Sequence, residues 1–442
     1  VNAEVTTIKT AAETALAQAF SQVRDRLPGD DTIAAQRAAA FDVFAREGLP
    51  HRRVEEWKYT DLRALMRDAK PLAAPPDAAA KTRAKGAGAL LGDLEARRLV
   101  FIDGTFVAEL SDIASLEDGL TVVPLAQALS DGNATLTAHL GKLAPGSDVA
   151  VALNTAFMGD GAVIRIAAGS TIERPLHLVF VASEKPAATF LRSLVVVEER
   201  ARAMLIESHE GPAGADYQVN AALEFFVGKA AHVDHVKLIT EGADALHVST
   251  LAAAIGAHAR FNSFTFTSGG AVVRNQLFLK FDGEGTVAGI RGATLLKGRQ
   301  HADTTLVANH NARDCQSREM FKAVLDDEAH SVFQGRIIVR SHAQKTDAKM
   351  MTQALLLSER AEAYNKPELE IFADDVQCGH GATSGALDDD LKFYLMARGI
   401  PEAEAEALLI QAFLGEAIEG IEHAGLREAL MDSVAGWLKA RS

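Results

Sequence analysis

Apolar residues near the start of the chain recur every three or four positions. The run "TAAETALAQAFSQVRDRL" keeps that period until Pro28-Gly29-Asp30 breaks it. "IAAQRAAAFDVFAREG" resumes it, with Asp31-Thr32 placed to cap a second helix and Gly48 to stop it. The aromatic segment "EEWKYTDLRALM" follows. Then comes "AKPLAAPPDAAAKTRAKGAGAL", Ala69 to Leu90, whose Ala, Pro and Gly content predicts a linker or mobile loop. From Arg98 the pattern becomes short β-type runs: "RLVFID", "AVIRIAAG", "PLHLVFVA", "SLVVVEE", "EFFVG", "FNSFTFT", "NQLFLKFD" and "RIIVRS". Few stretches between Ala162 and Val339 could form a crossover helix, which argues against a doubly wound α/β sheet. Past Leu387 helical spacing returns in "DDDLKFYLMARG", "PEAEAEALLIQAFLGEAIEGI" and "LREALMDSVAGWLKARS". Gly399 ends the first of these and Pro401 suits the first turn of the second.

A faint repeat underlies the β region. "VGKAAHVDHVKLI", "IGAHARFNSFTFT" and "DGEGTVAGIRGATLL" each read as turn, small residue, then strand. Their glycines, Gly228, Gly256 and Gly283, stand 28 and 27 residues apart. A fixed period of this length signals stacked units, none of which can bury its apolar face alone. A parallel β-helix is the simplest such architecture, and an ordinary β-sandwich with look-alike turns is the alternative. The expected division is a helical region over 1–68, a linker over 69–90, a mainly β core over 91–384 and a helical region over 385–442.

Composition narrows the function classes. The chain has 442 residues and a formal net charge of -14, which argues against nonspecific binding to nucleic acid or an anionic membrane surface. Its only cysteines, Cys315 and Cys378, cannot build a disulfide framework and suit reduced thiols. The first residues lack a basic stretch ahead of an apolar one, and no apolar run approaches the roughly 20 residues of a membrane span. A soluble cytoplasmic protein is expected. There is no G-x-x-x-x-G-K-[ST] for nucleotide phosphates, and "GEGTVAG" lies between strands and opens no helix. Neither G-x-S-x-G, H-E-x-x-H nor C-x-x-C occurs.

The candidate ligands divide by geometry. In "HVDH" alternation puts His232 and Asp234 on one face of a strand and His235 on the other, so the two imidazoles do not meet. His301, His310 and Cys315 match no zinc spacing, and structural roles are expected for them. "EIFADDVQCGHGATSG", Glu370 to Gly385, is different. Cys378 and His380, two apart in an extended segment, project to one side. They would supply two soft ligands of the four a metal wants. Alternatives are a glycine-rich structural turn, or a nucleophile and base oriented by Asp374 or Asp375.

The stretch from Ser331 to Glu416 closely resembles the Suf scaffold family of iron–sulfur cluster assembly. The resemblance rests on Gln344-Lys345-Thr346-Asp347-Ala348, the Leu-Leu-Leu-Ser run at 355–358, Pro367-Glu368-Leu369-Glu370-Ile371 and "ADDVQCGHGAT". "HADTTLVANHNARDCQSREMFKAVL" looks like the family's preceding segment, and "EEWKYTDL", Glu55 to Leu62, resembles the signature of its SufD branch. Gly379 stands where many relatives have Ser, and Met350 and Thr352 where many have Gln and Asn. The resemblance implies a right-handed parallel β-helix and a non-catalytic scaffold, with the sibling SufB-type subunit and a SufC ATPase as partners. It implies SufC docking on the C-terminal helices, with Leu391, Tyr394, Leu395, Leu408, Leu409 and Phe413 as contact or core positions. Self-pairing of the isolated chain would use the SufB surface. His380 and Cys378 would lie at a shared interface where a transient iron–sulfur cluster forms. Nucleotide hydrolysis would belong to SufC. The rival classes are a SufB-type subunit and a β-helix carbohydrate-active enzyme.

Overall fold

The structure, a computed structural model, describes residues 9–91 and 94–441. Its centre is a parallel β-solenoid made of two sheets that face each other. Sheet I runs from the strand Arg97–Ile102 to the strand Gln377–Gly385, and sheet II from Leu120–Pro124 to Glu362–Ile371. From Ala162 onward, strands consecutive in sequence alternate between the sheets, and from Ala188–Val197 to Asp347–Leu356 each pairs in parallel with the strands two before and two after it. One turn takes 26 residues from Leu246 to Val272 and 32 from His330 to Glu362. No helix interrupts the stretch from Ala162 to Gly385. The expected β-helix is therefore present and the sandwich alternative is not.

Alternate residues of each strand face inward, because successive side chains leave opposite faces. Phe225, Phe261, Leu277, Phe281, Ile337 and Val339 belong to one continuous buried core. One corner repeats with a fixed backbone. Arg200, Ala230, His258, Gly285, Asp314 and Lys345 all have left-handed φ, between 55° and 66°. The N–H of each donates to a carbonyl one turn further on, from Arg200 to Lys229 through to Lys345 to Asp375, at 2.6 to 3.1 Å. Just before this corner the turns touch. A Cβ on Gly228 would sit 2.7 Å from the Glu199 nitrogen, and one on Gly283 would sit 1.9 Å from the Ala257 nitrogen. The spacing of Gly228, Gly256 and Gly283 thus has a steric cause.

The N-terminal helices form as patterned. Ala11–Val23 starts with a capping box, Glu13 N–H donating to Thr10 Oγ1 at 3.2 Å and Thr10 N–H to Glu13 Oε2 at 2.7 Å. Asp31–Glu47 is capped by Asp30, one residue before the expected position, through the Ile33 N–H at 3.0 Å. Two expectations need correction. The Ala/Pro/Gly-rich stretch is no free tether: it forms the helix Ala78–Arg83, and Ala80 and Ala84 pack on Val100 and Val179. The region 91–384 is not strand-rich throughout either. Between the strands Thr105–Phe106 and Ala162–Ile166 lie the helices Leu125–Ser130, Ala134–His139 and Val149–Phe157. Every residue of the last is buried, between sheet II and the N-terminal helices. A helix covered on all sides is mostly apolar, so "VAVALNTAF", with Asn154 and Thr155 its polar members, shows no exposed polar face.

The last two helices, Glu402–Ile418 and Ala424–Arg441, cover the outer face of sheet I. Ile410, Leu414, Leu426, Leu430 and Val434 pack there against Val236, Leu238, Phe264 and Phe266. Among the described residues no helix is long and apolar enough to cross a membrane.

Candidate functional site

The solenoid stops without a cap at its C-terminal end. Among the described residues the strand Gln377–Gly385 pairs only with Asp347–Leu356, and Glu362–Ile371 only with His330–Val339, so each leaves one edge without a sheet partner. Cys378 lies beside Ala348 and His380 beside Met350, and both of those neighbours are buried in the interior core. The two candidate ligands therefore face the solenoid interior, at the level where no further turn closes it. His380 is exposed, while Cys378 is half-buried against the core. Ile371, opposite the fully buried Val339, is 41% exposed, and the adjacent Phe372 is 58% exposed. Open edges and uncovered apolar side chains are what sheets ordinarily avoid showing to water.

Burial pushes the Cys378 thiol up, and the charges of Asp347 and Glu319 add to this. A nucleophilic cysteine needs its thiol held down, so the environment does not favour the nucleophile reading. Asp375 is committed elsewhere: its carboxylate pairs with Lys345, and its N–H donates to Gln344 Oε1 at 2.9 Å. Its observed partners are at the corner, not at His380. Among the described residues Cys378 and His380 join no cluster of three or more potential metal ligands.

The remaining sequence candidates fall where alternation put them. His232 Nε2 lies 3.3 Å from Asp234 Oδ2 on the outer face. His235, on the inner face, contacts Glu207 and Ser263 at 3.0 Å each. His310 stacks on Phe281 with ring centroids 4.0 Å apart, and Cys315 is buried. His301 Nε2 is 2.9 Å from Thr60 Oγ1.

That last contact belongs to a clamp. Trp57 is buried, its Nε1–H donating to Asp148 Oδ2 at 3.1 Å, and the Arg274 guanidinium lies 3.9 Å from its ring centroid. Arg274 donates to the Glu56 carbonyl at 2.7 Å and pairs with buried Asp303, which also accepts from Thr60. Lys366, on the last strand of sheet II, reaches Glu55 at 2.5 Å. "EEWKYTDL" is thus bound along sheet II as far as its final turn. A cleft of about 460 Å³ opens beside it, lined by Trp57, Asp148, Arg274 and Lys366 among others, and neither Cys378 nor His380 lines it.

Comparison with known proteins decides the lineage. The SufBD core domain of the SUF system for FeS cluster assembly matches residues 179–413, and the SufBD protein N-terminal region matches 10–178. The chain belongs to the SufB/SufD family. A SufBD family iron–sulfur cluster assembly protein of Synechocystis is 34% identical over 92% of this chain and 91% of its own length. The iron–sulfur cluster assembly protein SufD of Escherichia coli is 32% identical over 87% and 88%. SufD of Bacillus subtilis is 27% identical over 64% and 65%. Within the SufB/SufD family the assignment is SufD-like, and a carbohydrate-active enzyme is set aside.

The SufBD core match ends within the C-terminal helices. Of the positions expected as contact or core, Leu408 is exposed and Leu409 and Phe413 are only partly buried. Ile410, Leu414, Ala417 and Ile418 form the centre of the helix core. The helix Asp389–Ala397 buries no residue, and it shows Leu391, Phe393, Tyr394 and Met396 to solvent. Sequence reasoning missed Arg274, Asp303 and Asp148 of the clamp. Arg274 and Asp303, charged residues inside strands, were the available signal, but their partners in the segment Glu55–Leu62 are 218 and 243 residues away.

Proposed function

We propose that this chain is the SufD-type scaffold subunit of a SufB–SufC–SufD assembly. Its open solenoid end docks a SufB-type subunit, and a nascent iron–sulfur cluster is built there with His380 as a ligand and Cys378 beside it. The cluster is cargo, and the chain is non-catalytic. Nucleotide hydrolysis belongs to the SufC-type ATPase, consistent with the lack of a P-loop, and the exposed face of Asp389–Ala397 supplies its docking patch.

The observation that carries this reading is the uncapped end. Two parallel edge strands, an uncovered apolar interior and an inward-facing Cys–His pair coincide there. A related solenoid can satisfy both edges through backbone pairing, and alternate side chains give specificity. Ligands missing on this chain then come from the partner. A neutral imidazole suits iron at such a boundary. The same end supports self-pairing when the chain is alone, because a surface that fits a related subunit is close to self-complementary.

The test is Ile371→Asp with Phe372→Asp. Both positions are solvent-exposed, so the isolated chain should keep its melting temperature. Co-purification with the SufB-type subunit should be lost, and any homodimer should become monomeric by light scattering. Undiminished co-purification would place the SufB contact elsewhere.

A further inference from the structure

The solenoid interior is mostly apolar, and one of its corners is not. His209 lies in the strand Arg202–Glu210, Glu241 just after His232–Thr240, and His247 in Leu246–Ile255. All three are buried. One potential ligand atom from each lies within 4.8 Å of the other two. His247 Nδ1 is 2.9 Å from Glu241 Oε2, and the two imidazole centroids are 4.7 Å apart. Yet among the described residues His209 Nε2 and His247 Nε2 make no hydrogen bond, and the close His247 Nδ1–Glu241 Oε2 contact is not aligned as one. Buried polar atoms are nearly always partnered, so unsatisfied atoms on three side chains that each bring one ligand atom within 4.8 Å of the others call for an occupant. A cavity of about 20 Å³, walled in part by His209 and Glu241, adjoins them, and roughly 10–15 Å³ suffices for one water.

We infer that His209, Glu241 and His247 form a binding site for one divalent first-row transition-metal ion, with a cavity water completing its shell. Two imidazoles and a carboxylate are a donor set for zinc or ferrous iron. Burial holds the His209 imidazole down at about 4 and His247 well below its ordinary range, so both offer lone pairs at neutral pH. Burial pushes Glu241 up to about 7, so a metal displaces at most one proton there. Glu207, held by His235 at 3.0 Å, places Oε1 3.8 Å from the same His209 nitrogen and so adds a second carboxylate beside the site. Lys237 is the competing cation. It faces both Glu207 and Glu241, and burial lowers its own pKa. A bound ion ties three successive segments of the solenoid together, on strands remote in register from Cys378 and His380.

Co(II) is the probe, supplied during expression of the full chain so that the site fills as the protein folds. After exchange into EDTA and gel filtration, wild type should retain one Co(II) per chain with visible ligand-field bands. Glu241→Gln and His247→Gln should each retain roughly tenfold less or lower still, as loss of one ligand from three demands. His380→Ala should retain it fully. X-ray absorption on the wild type decides the matter even if a variant misfolds: a nitrogen and oxygen shell with two imidazoles is expected. Sulfur in the shell, no retained cobalt, or undiminished cobalt in a folded Glu241→Gln would each overturn the site and leave Lys237 as the charge partner.

Discussion

Arg274→Met asks whether one buried cation holds the segment Glu55–Leu62 to the solenoid. Arg274 and Asp303 are both fully buried and paired, Arg274 donates to Glu56, and it stacks 3.9 Å from the Trp57 ring. Removing one partner of a buried ion pair costs about 3–5 kcal/mol, because the other charge stays behind unpaired. A desolvated cation–π contact adds about 2 kcal/mol. The terms overlap, since both describe the same guanidinium. Met keeps the apolar stem, and Asp303 still accepts from Thr60 and from Thr305 at 3.1 Å. The net expectation is about 4 kcal/mol, a large fraction of the ~5–15 kcal/mol that holds a typical domain folded. Because the clamp is local, it should open before the solenoid does. In a Trp437→Phe background, urea titration followed by tryptophan fluorescence and by far-UV circular dichroism separates the two events. The Trp57 transition should move to lower urea, and the β-sheet transition should move less. The double variant Arg274→Met, Asp303→Leu should recover most of the loss, because it leaves no uncompensated charge. A single variant within about 1 kcal/mol of wild type, or a double variant no better than the single, would refute the clamp as its origin.

Other outcomes follow from the same geometry. Burial pushes the Glu319 carboxyl up to about 7 from its ordinary 4.5, so the folded chain holds that proton after the unfolded chain has released it. The stabilisation is full below about pH 4.5 and is lost as pH rises through about 7, a change of order 3 kcal/mol. Glu319→Gln should therefore match wild type at pH 4 in urea unfolding and exceed it at pH 8, and equal pH slopes would contradict this. Phe393→Glu with Tyr394→Glu, at side chains 71% and 54% exposed, should leave the melting temperature unchanged and weaken SufC-type ATPase binding at least tenfold by calorimetry. Unchanged affinity would remove that patch from the docking site.

The solenoid was legible in the sequence because its strands are two-periodic and its corners are tight. Gly228, Gly256 and Gly283 sit where a Cβ would strike the preceding turn, which keeps them a turn apart. The repeat is nevertheless faint, since the left-handed corner position is filled by Arg200, Ala230, His258, Asp314 and Lys345 as well as by Gly285. Backbone hydrogen bonds to the next turn hold that conformation, so the residue type need not advertise it. The helix Val149–Phe157 was not legible, because complete burial erases the polar stripe that identifies a helix. Cys378 and His380 could be placed on one face by alternation alone. Their position at the open end could not, because it depends on which strand is last in its sheet. The clamp and the His209, Glu241, His247 cluster were invisible for a related reason: each joins residues that only the stacking of turns brings together.

The central claim is that the open end holds half of a shared cluster site, with His380 the ligand that counts. The most direct measurement is iron and sulfide content after anaerobic co-expression with SufB-type and SufC-type partners, comparing wild type, His380→Ala and Cys378→Ala. His380 is exposed and Cys378 half-buried at the last strand, so complex yield and melting temperature should stay near wild type in both variants. Cluster content should fall sharply for His380→Ala and less for Cys378→Ala. Normal cluster content in an intact His380→Ala complex would contradict the shared site and leave "CGHG" as a structural edge.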